Sequence, residues 1–124
     1  MLVSVAVVLL GAIGLTVFDM VGQSARENAR VIGGVSYAST TARDFGYVPA
    51  LIIAPGRRPV RVTIHNQGIH THTFVIDSLG IDVAIPRGAT RTVTAHPRRF
   101  GRFLFYCRFH QQYGMRGHLV VVSG

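Results

Sequence analysis

The chain has 124 residues and a formal net charge of +8, with 13 Arg, no Lys and five acidic residues. This length fits one domain and excludes a multidomain oxidase, and the single cysteine, Cys107, excludes an intramolecular disulfide. A basic surface favours acidic partners. Only Arg57–Arg58 and Arg98–Arg99 are adjacent, and no nucleic-acid-binding motif accompanies them, so we do not expect nucleic acid to bind. The alternative is that scattered arginines only solubilise the surface.

An apolar run without charges extends over residues 2–18. We interpret residues 1–22 as a helical export signal or membrane anchor, which predicts membrane association through residues 2–18. No Arg precedes the run and no clear Ala-x-Ala site follows it, which favours an uncleaved anchor. Arg26 and Arg30 follow the run, and the positive-inside rule would keep them inside, which argues against export. A buried core helix is the alternative.

Polar and small side chains dominate residues 23–43, which we interpret as a linker or irregular lead-in to a domain over residues 44–124. That domain has a β pattern. Short segments with strand character are separated by turn signals rich in Gly and Pro: Val60–Ile64, Thr73–Asp77, Arg91–Ala95, Arg102–Tyr106 and His118–Val122. The uninterrupted apolar run at His118–Val122 predicts a strand covered on both faces. Short strands at this spacing predict an all-β sandwich or barrel.

One short segment carries the strongest chemical signal, Cys-x2-His-x4-Met, formed by Cys107, His110 and Met115. A thiolate, an imidazole and a thioether in one loop make a soft donor set suited to copper. Each residue alone has another explanation. Cys107 could be an inert buried thiol, His110 a surface residue and Met115 core packing. The combination at this spacing favours a metal site.

A fourth donor has to come from elsewhere in the chain. The segment His70-Thr71-His72 precedes a predicted strand about 35 residues upstream of the cysteine. Either histidine could supply a second imidazole to the site.

These segments together resemble the cupredoxins, the blue-copper proteins of the plastocyanin and pseudoazurin kind. The resemblance extends over roughly Phe45 to Val122 and rests on the Pro55–Gly56 turn, Val60–Asn66, His72–Ile76, Ile85–Gly88 and the Phe105–Met115 loop. It implies a Greek-key β-sandwich or barrel, here preceded by the N-terminal hydrophobic helix. It also implies one mononuclear copper ion that alternates between Cu(I) and Cu(II).

The resemblance implies the roles of four ligands. His72 corresponds to the first histidine ligand, Cys107 to the thiolate, His110 to the second histidine and Met115 to the weak axial thioether. His70 fits the first position less well, because it lies nearer the preceding turn and family ligands directly precede the x-Phe-x-Ile strand.

Residues around these ligands have expected roles as well. In the family, the residue after the first histidine bonds the residue after the cysteine, which here means Thr73 and Arg108. Arg108 departs from the family pattern, since a small hydroxyl residue usually stands there. The remaining histidines, His65, His96 and His118, match no family ligand, and we interpret them as structural or exposed.

The function that the resemblance implies is transfer of single electrons between redox partners outside the cytoplasm, in the periplasm or at the cell surface, without enzymatic activity. We expect a monomer whose electrons leave through His110. Around that ring we expect an apolar patch formed by Ile69, Phe109 and Tyr113. Arg108 and Arg116 would add positive charge, which predicts an acidic redox protein as partner.

Other functions remain open at this stage. A copper-handling protein, such as a chaperone, scavenger or sensor, could use the same four residues. A Cys-His nucleophilic enzyme would need an orienting carboxylate, for which Asp77 and Asp82 are candidates. A binuclear copper centre needs a second cysteine four residues after the first, where this chain has Gln111.

Overall fold

The computed structural model describes residues 25–124, and this part of the chain is built from β-strands and two short 3-10 helices, Asp77–Leu79 and Gln111–Tyr113. None of the helices within residues 25–124 is long and apolar enough to cross a membrane. The predicted signal or anchor, with its hydrophobic helix, lies outside the described residues.

Two β-sheets form the domain, which confirms the all-β prediction. The larger sheet contains β1 (Glu27–Asn28), β5 (Leu51–Pro55), β7 (His72–Ile76), β8 (Ile81–Ile85), β10 (Gly101–Tyr106) and β11 (Arg116–Val122). Its six strands have the spatial order β1-β5-β11-β10-β7-β8. The strands β7 and β10 are antiparallel neighbours, with Val75 opposite Tyr106. This pairing brings the start of β7 beside the end of β10, where the candidate ligands lie.

The smaller sheet contains β2 (Arg30–Ile32), β3 (Val35–Arg43), β4 (Gly46–Val48), β6 (Val60–Asn66) and β9 (Thr90–Ala95). Four of its strands follow the order β2-β3-β6-β9, and β4 pairs with β3. Strand β6 shows the expected alternation, because Val60, Val62 and Ile64 are buried while Arg61 is exposed.

Large apolar side chains from both sheets fill the space between them. The fully buried ones include Ile52, Ile64, Phe74, Ile76, Ile85, Phe105 and Leu119. Each such side chain contributes about 1.5–3 kcal/mol by leaving water. Below the candidate ligands, the ring of Phe105 contacts Phe74 at a centroid distance of 4.7 Å and Tyr47 at 5.0 Å. These rings give the ligand-bearing strand ends a rigid support.

The prediction of an irregular lead-in over residues 23–43 is wrong for its later part. Strand β3 lies within the smaller sheet and pairs in parallel with β6 from Ser36 opposite Val60 to Ala42 opposite Asn66. Its inward positions hold small or hydroxyl-bearing residues, Ser36, Ala38, Thr40 and Ala42, all of them buried. Because none of these is a large apolar residue, the period-2 signal of a strand is absent from the sequence.

The prediction that His118–Val122 is covered on both faces is also wrong. Burial alternates along β11: Leu119 and Val121 are buried, whereas His118 and Val120 are partly exposed and Val122 is 37% exposed. Apolar residues are common on protein surfaces, so a continuous apolar run does not require two covered faces.

Candidate metal centre

One end of the larger sheet brings three of the four predicted ligands together. His72 begins β7, Cys107 directly follows β10, and His110 lies in the loop between β10 and β11. Their donor atoms lie within 4.8 Å of one another. The side chains of His72 and Cys107 are fully buried, and His110 is partly exposed. The sequence-predicted pair of imidazoles and a thiolate therefore meets at one point.

The spacing of the three donor atoms suits a single metal ion. Nδ1 of His72 lies 3.2 Å from Nδ1 of His110, and Sγ of Cys107 lies 3.7 Å and 3.6 Å from these two atoms. A point about 2.0 Å from all three atoms exists in the plane of this triangle, close to metal bonds of about 2.0–2.3 Å from imidazole and thiolate. Two imidazoles and a thiolate in a plane are the donor set of mononuclear copper sites. The residues present therefore fit copper.

Met115, the predicted axial ligand, is fully buried and directly precedes β11. Its backbone is bonded to both loop ligands: the N–H of Cys107 donates to its carbonyl at 3.1 Å, and its own N–H donates to the carbonyl of His110 at 3.3 Å. Gly114, with φ of 91°, makes the left-handed turn that returns the chain to this position. The role of the Met115 sulfur as a weak ligand stays a prediction.

The tie between the two ligand-bearing segments exists, although Arg108 departs from the family pattern. The backbone N–H of Arg108 donates to Oγ1 of Thr73 at 2.8 Å. A backbone donor serves whichever side chain occupies the position, so the guanidinium of Arg108 is free to pair with Asp82. The N–H of Thr73 in turn donates to Sγ of Cys107 at 3.4 Å. This second bond withdraws electron density from the thiolate.

Asp44 contacts the site and was not found from the sequence. Its Oδ1 lies 2.6 Å from Nε2 of His72, on the opposite side of the ring from the donor triangle. Its Oδ2 accepts the N–H of Ile69 at 2.8 Å and lies 3.2 Å from Nδ1 of His70. Asp44 is 28 residues from His72 in the chain. Acidic residues are rare in this basic sequence, and that rarity is the one signal that could have pointed to Asp44.

The electrostatics favour an ionised carboxylate and a neutral ring at the site. The hydrogen bond from Ile69 holds the pKa of Asp44 well below its usual range; bonds from His70 and His72 act in the same direction, while burial opposes them. Burial lowers the pKa of His110, and the nearby rings of His72 and His70 lower it further. A neutral His110 offers a nitrogen lone pair to a metal at neutral pH.

The remaining histidines are not part of the donor triangle. The side chain of His70 is 51% exposed and points to Asp44. His65 shares a 2.7 Å hydrogen bond with Oγ1 of Thr90, and His96 is exposed. Nδ1 of His118 lies 3.2 Å from the guanidinium of Arg102. Among the described residues, the group that could hold a metal includes none of these four.

Exposed apolar side chains surround the ring of His110. Tyr113 stacks on it with a centroid distance of 6.2 Å, and Phe109 lies at 6.3 Å. The ring of Phe45, at 4.5 Å, is nearer than either and was not expected from the sequence. We call this surface the aromatic rim; its members, with Ile69, are 41–65% exposed. The ring of His110 is itself partly exposed and is surrounded by these uncharged side chains.

The orienting carboxylates considered for a Cys-His enzyme are engaged elsewhere. Asp77 accepts the hydroxyl of Tyr106 at 2.9 Å, and Asp82 pairs with Arg108. Asp44 does contact His72, but the side chain of Cys107 beyond that ring is fully buried.

The family model of the cupredoxin-like domain matches residues 11–121. With a two-sheet fold and a His-Cys-His cluster at one sheet end, the chain belongs to the cupredoxin-like family. No curated protein matches it in sequence.

Several solved structures share the fold. The metal-binding domain of the Cu(I)-exporting P-type ATPase CopA from Streptococcus pneumoniae D39 is 22% identical, with a TM-score of 0.70 over 80% of this chain and 97% of that one. A copper-binding protein in its apo form is 23% identical, with a TM-score of 0.64 over 76% of this chain and 94% of that one. Reduced auracyanin from Roseiflexus castenholzii is 15% identical, with a TM-score of 0.60 over 74% of this chain and 99% of that one.

Proposed function

We propose that the protein binds one copper ion through His72, Cys107, His110 and Met115 and carries single electrons between redox partners outside the cytoplasm. The observation that carries this proposal is the donor triangle, whose spacing already matches a bound ion. A copper ion held there would take one electron from a reduced donor, as Cu(II) becomes Cu(I), and return it to an oxidised acceptor. No bond of the protein is made or broken.

Rigidity of the ligands supports electron transfer. His72, Cys107 and Met115 are fully buried, and the loop carbonyls and N–H groups of Cys107, His110 and Met115 bond one another. The two oxidation states of copper prefer different geometries, and a site held between them changes little when an electron arrives. A protein that hands over the ion itself needs ligands that can move, which these contacts oppose.

The aromatic rim supports His110 as the route for the electron. A partner can approach its ring closely, because the surrounding Phe45, Ile69, Phe109 and Tyr113 lose apolar surface and no charge on contact. Arg116, which donates to the carbonyl of Gln111, supplies positive charge near the rim, whereas the charge of Arg108 is offset by Asp82. An acidic redox protein is the partner that this charge favours.

Copper handling is the second candidate function. Two structural neighbours are, by their descriptions, a metal-binding domain of a Cu(I) exporter and a copper-binding protein. In this chain a further histidine, His70, is half exposed, and its ring centroid lies 5.7 Å from that of His110. An exposed histidine beside a ligand is what a transfer of the ion to another protein would use.

The two functions differ in what leaves the protein. The test is repeated chemical oxidation and reduction of the copper-loaded full chain in the presence of a Cu(I) chelator of moderate affinity. An electron carrier retains its copper through the cycles and returns to the same spectrum. Loss of copper to the chelator at each reduction would favour copper handling and contradict the proposal.

A further inference from the structure

The carboxylate of Asp44 is hydrogen-bonded to Nε2 of the buried ligand candidate His72, the ring nitrogen that faces away from the donor triangle. Oδ1 lies 2.6 Å from Nε2, while Nδ1 of the same ring faces Sγ of Cys107 and Nδ1 of His110. A carboxylate that is ionised can only accept hydrogen bonds, so Nε2 must carry the proton of a neutral His72 ring. Nδ1 then presents its lone pair to the centre of the donor triangle. The carboxylate thus selects the tautomer that can bind a metal.

The carboxylate itself is held in place by Ile69 and His70, in the segment that precedes β7. Its second oxygen accepts the N–H of Ile69 at 2.8 Å and contacts Nδ1 of His70 at 3.2 Å. Gly68 packs so closely that a Cβ there would overlap Oδ1 of Asp44 and lie 3.0 Å from Nε2 of His72. The backbone of Gly68 therefore covers the hydrogen-bonded pair, and a side chain at this position would displace the carboxylate of Asp44.

Resting on the proposed function, we infer that Asp44 is a positioning residue of the copper centre: it fixes the His72 tautomer and stabilises Cu(II) relative to Cu(I). The negative carboxylate beside Nε2 makes the imidazole a stronger electron donor through Nδ1, and a stronger donor favours the more highly charged ion. Asp44 therefore lowers the reduction potential of the site. It would act through His72 alone, because the other imidazole of the donor triangle, His110, has no such carboxylate contact among the described residues.

The first experiment needs no copper. Nitrogen NMR of the His72 ring in the apo protein, at a pH above the ordinary imidazole pKa, reports which nitrogen carries the proton. We expect Nε2–H alone in the unmodified chain and in Asp44→Asn, whose amide oxygen can still accept this bond. In Asp44→Ala we expect a mixture of tautomers. A single Nε2–H tautomer in Asp44→Ala would overturn the positioning role.

The second experiment compares reduction potentials of copper-loaded Asp44→Asn and Asp82→Asn. Both variants remove one negative charge, but Asp82 lies opposite Val75 on the neighbouring strand and pairs with Arg108 rather than with a ligand. We expect Asp44→Asn to shift the preference toward Cu(I) by about tenfold, which is about 59 mV upward for one electron. Asp82→Asn should shift it much less. Equal shifts of the reduction potential in the two variants would mean that Asp44 acts only through its overall charge, which would overturn the inference.

These measurements separate the two proposals. If the unmodified chain binds no copper or shows no reversible couple, the proposed function fails, and the apo tautomer result still decides the role of Asp44. If the unmodified chain has a reversible couple and Asp44→Asn leaves it unchanged, the inference fails and the proposed function stands.

Discussion

The backbone N–H of Thr73 donates a hydrogen bond to Sγ of Cys107 across 3.4 Å, so the residue that follows one ligand candidate contacts another. The side chain of Thr73 accepts the N–H of Arg108, the residue that follows the cysteine. Two reciprocal bonds thus lock β7 to the loop after β10. These backbone hydrogen bonds hold His72 and Cys107 beside each other in the donor triangle.

Replacing Cys107 with Ser should remove the intense visible absorption of the copper-loaded protein. That band requires charge transfer from sulfur to copper, and a hydroxyl is a far weaker donor. Copper can still bind weakly through the two imidazoles. The measurement is a visible spectrum at equal copper content, with the unmodified chain as control. A variant that keeps the band would remove Cys107 from the metal site.

Alanine substitutions of His72 and His70 should have different effects. His72 lies in the donor triangle, so His72→Ala should lower copper affinity by more than the roughly 10- to 100-fold that is typical of losing a residue that only supports a ligand. His70→Ala removes an exposed ring that contacts Asp44 and should leave the visible spectrum nearly unchanged. Competition against a chelator measures the affinities. The reverse pattern would identify His70, rather than His72, as the first histidine ligand. Equal losses of copper affinity in the two variants would favour copper handling.

Replacing Met115 with Leu should keep copper bound and raise the reduction potential. The leucine fills a similar volume at this fully buried position, but it removes a thioether donor that favours Cu(II). Each tenfold change in the relative affinity for the two oxidation states is worth about 59 mV. Voltammetry measures the reduction potential, and the copper content of the variant shows whether the ion is still bound. Loss of copper binding would make Met115 more than a weak axial ligand.

Charge near the aromatic rim should steer anionic redox partners. Oxidation of the reduced protein by hexacyanoferrate(III) should slow with rising salt, and Arg116→Glu or Arg108→Glu should slow it up to about tenfold at low salt. Arg61→Glu is the matched control, because Arg61 is exposed near the far end of β6. Stopped-flow rates at several ionic strengths provide the measurement. Rates independent of salt and of both reversals would leave these arginines with a solubilising role.

The ligand candidates were predictable because the signal is local. Cys107, His110 and Met115 share one loop, and His72 opens a strand that can be recognised from its own residues. Asp44 and Phe45 were not predictable, since long-range pairing of β3 brings them to the site and no short motif marks them. Strand β3 itself was missed because Ser36, Ala38, Thr40 and Ala42 fill its buried face without any large apolar residue.

One copper ion bound to the protein should exchange one electron reversibly. A potentiometric titration of the copper-loaded chain, followed by visible absorption and by the EPR signal of Cu(II), tests it most directly. We predict one copper per chain and a single transition with one-electron slope, in which both signals vanish and return together. Binding of more than one copper, an irreversible transition, or a Cu(II) signal without the thiolate band would contradict it.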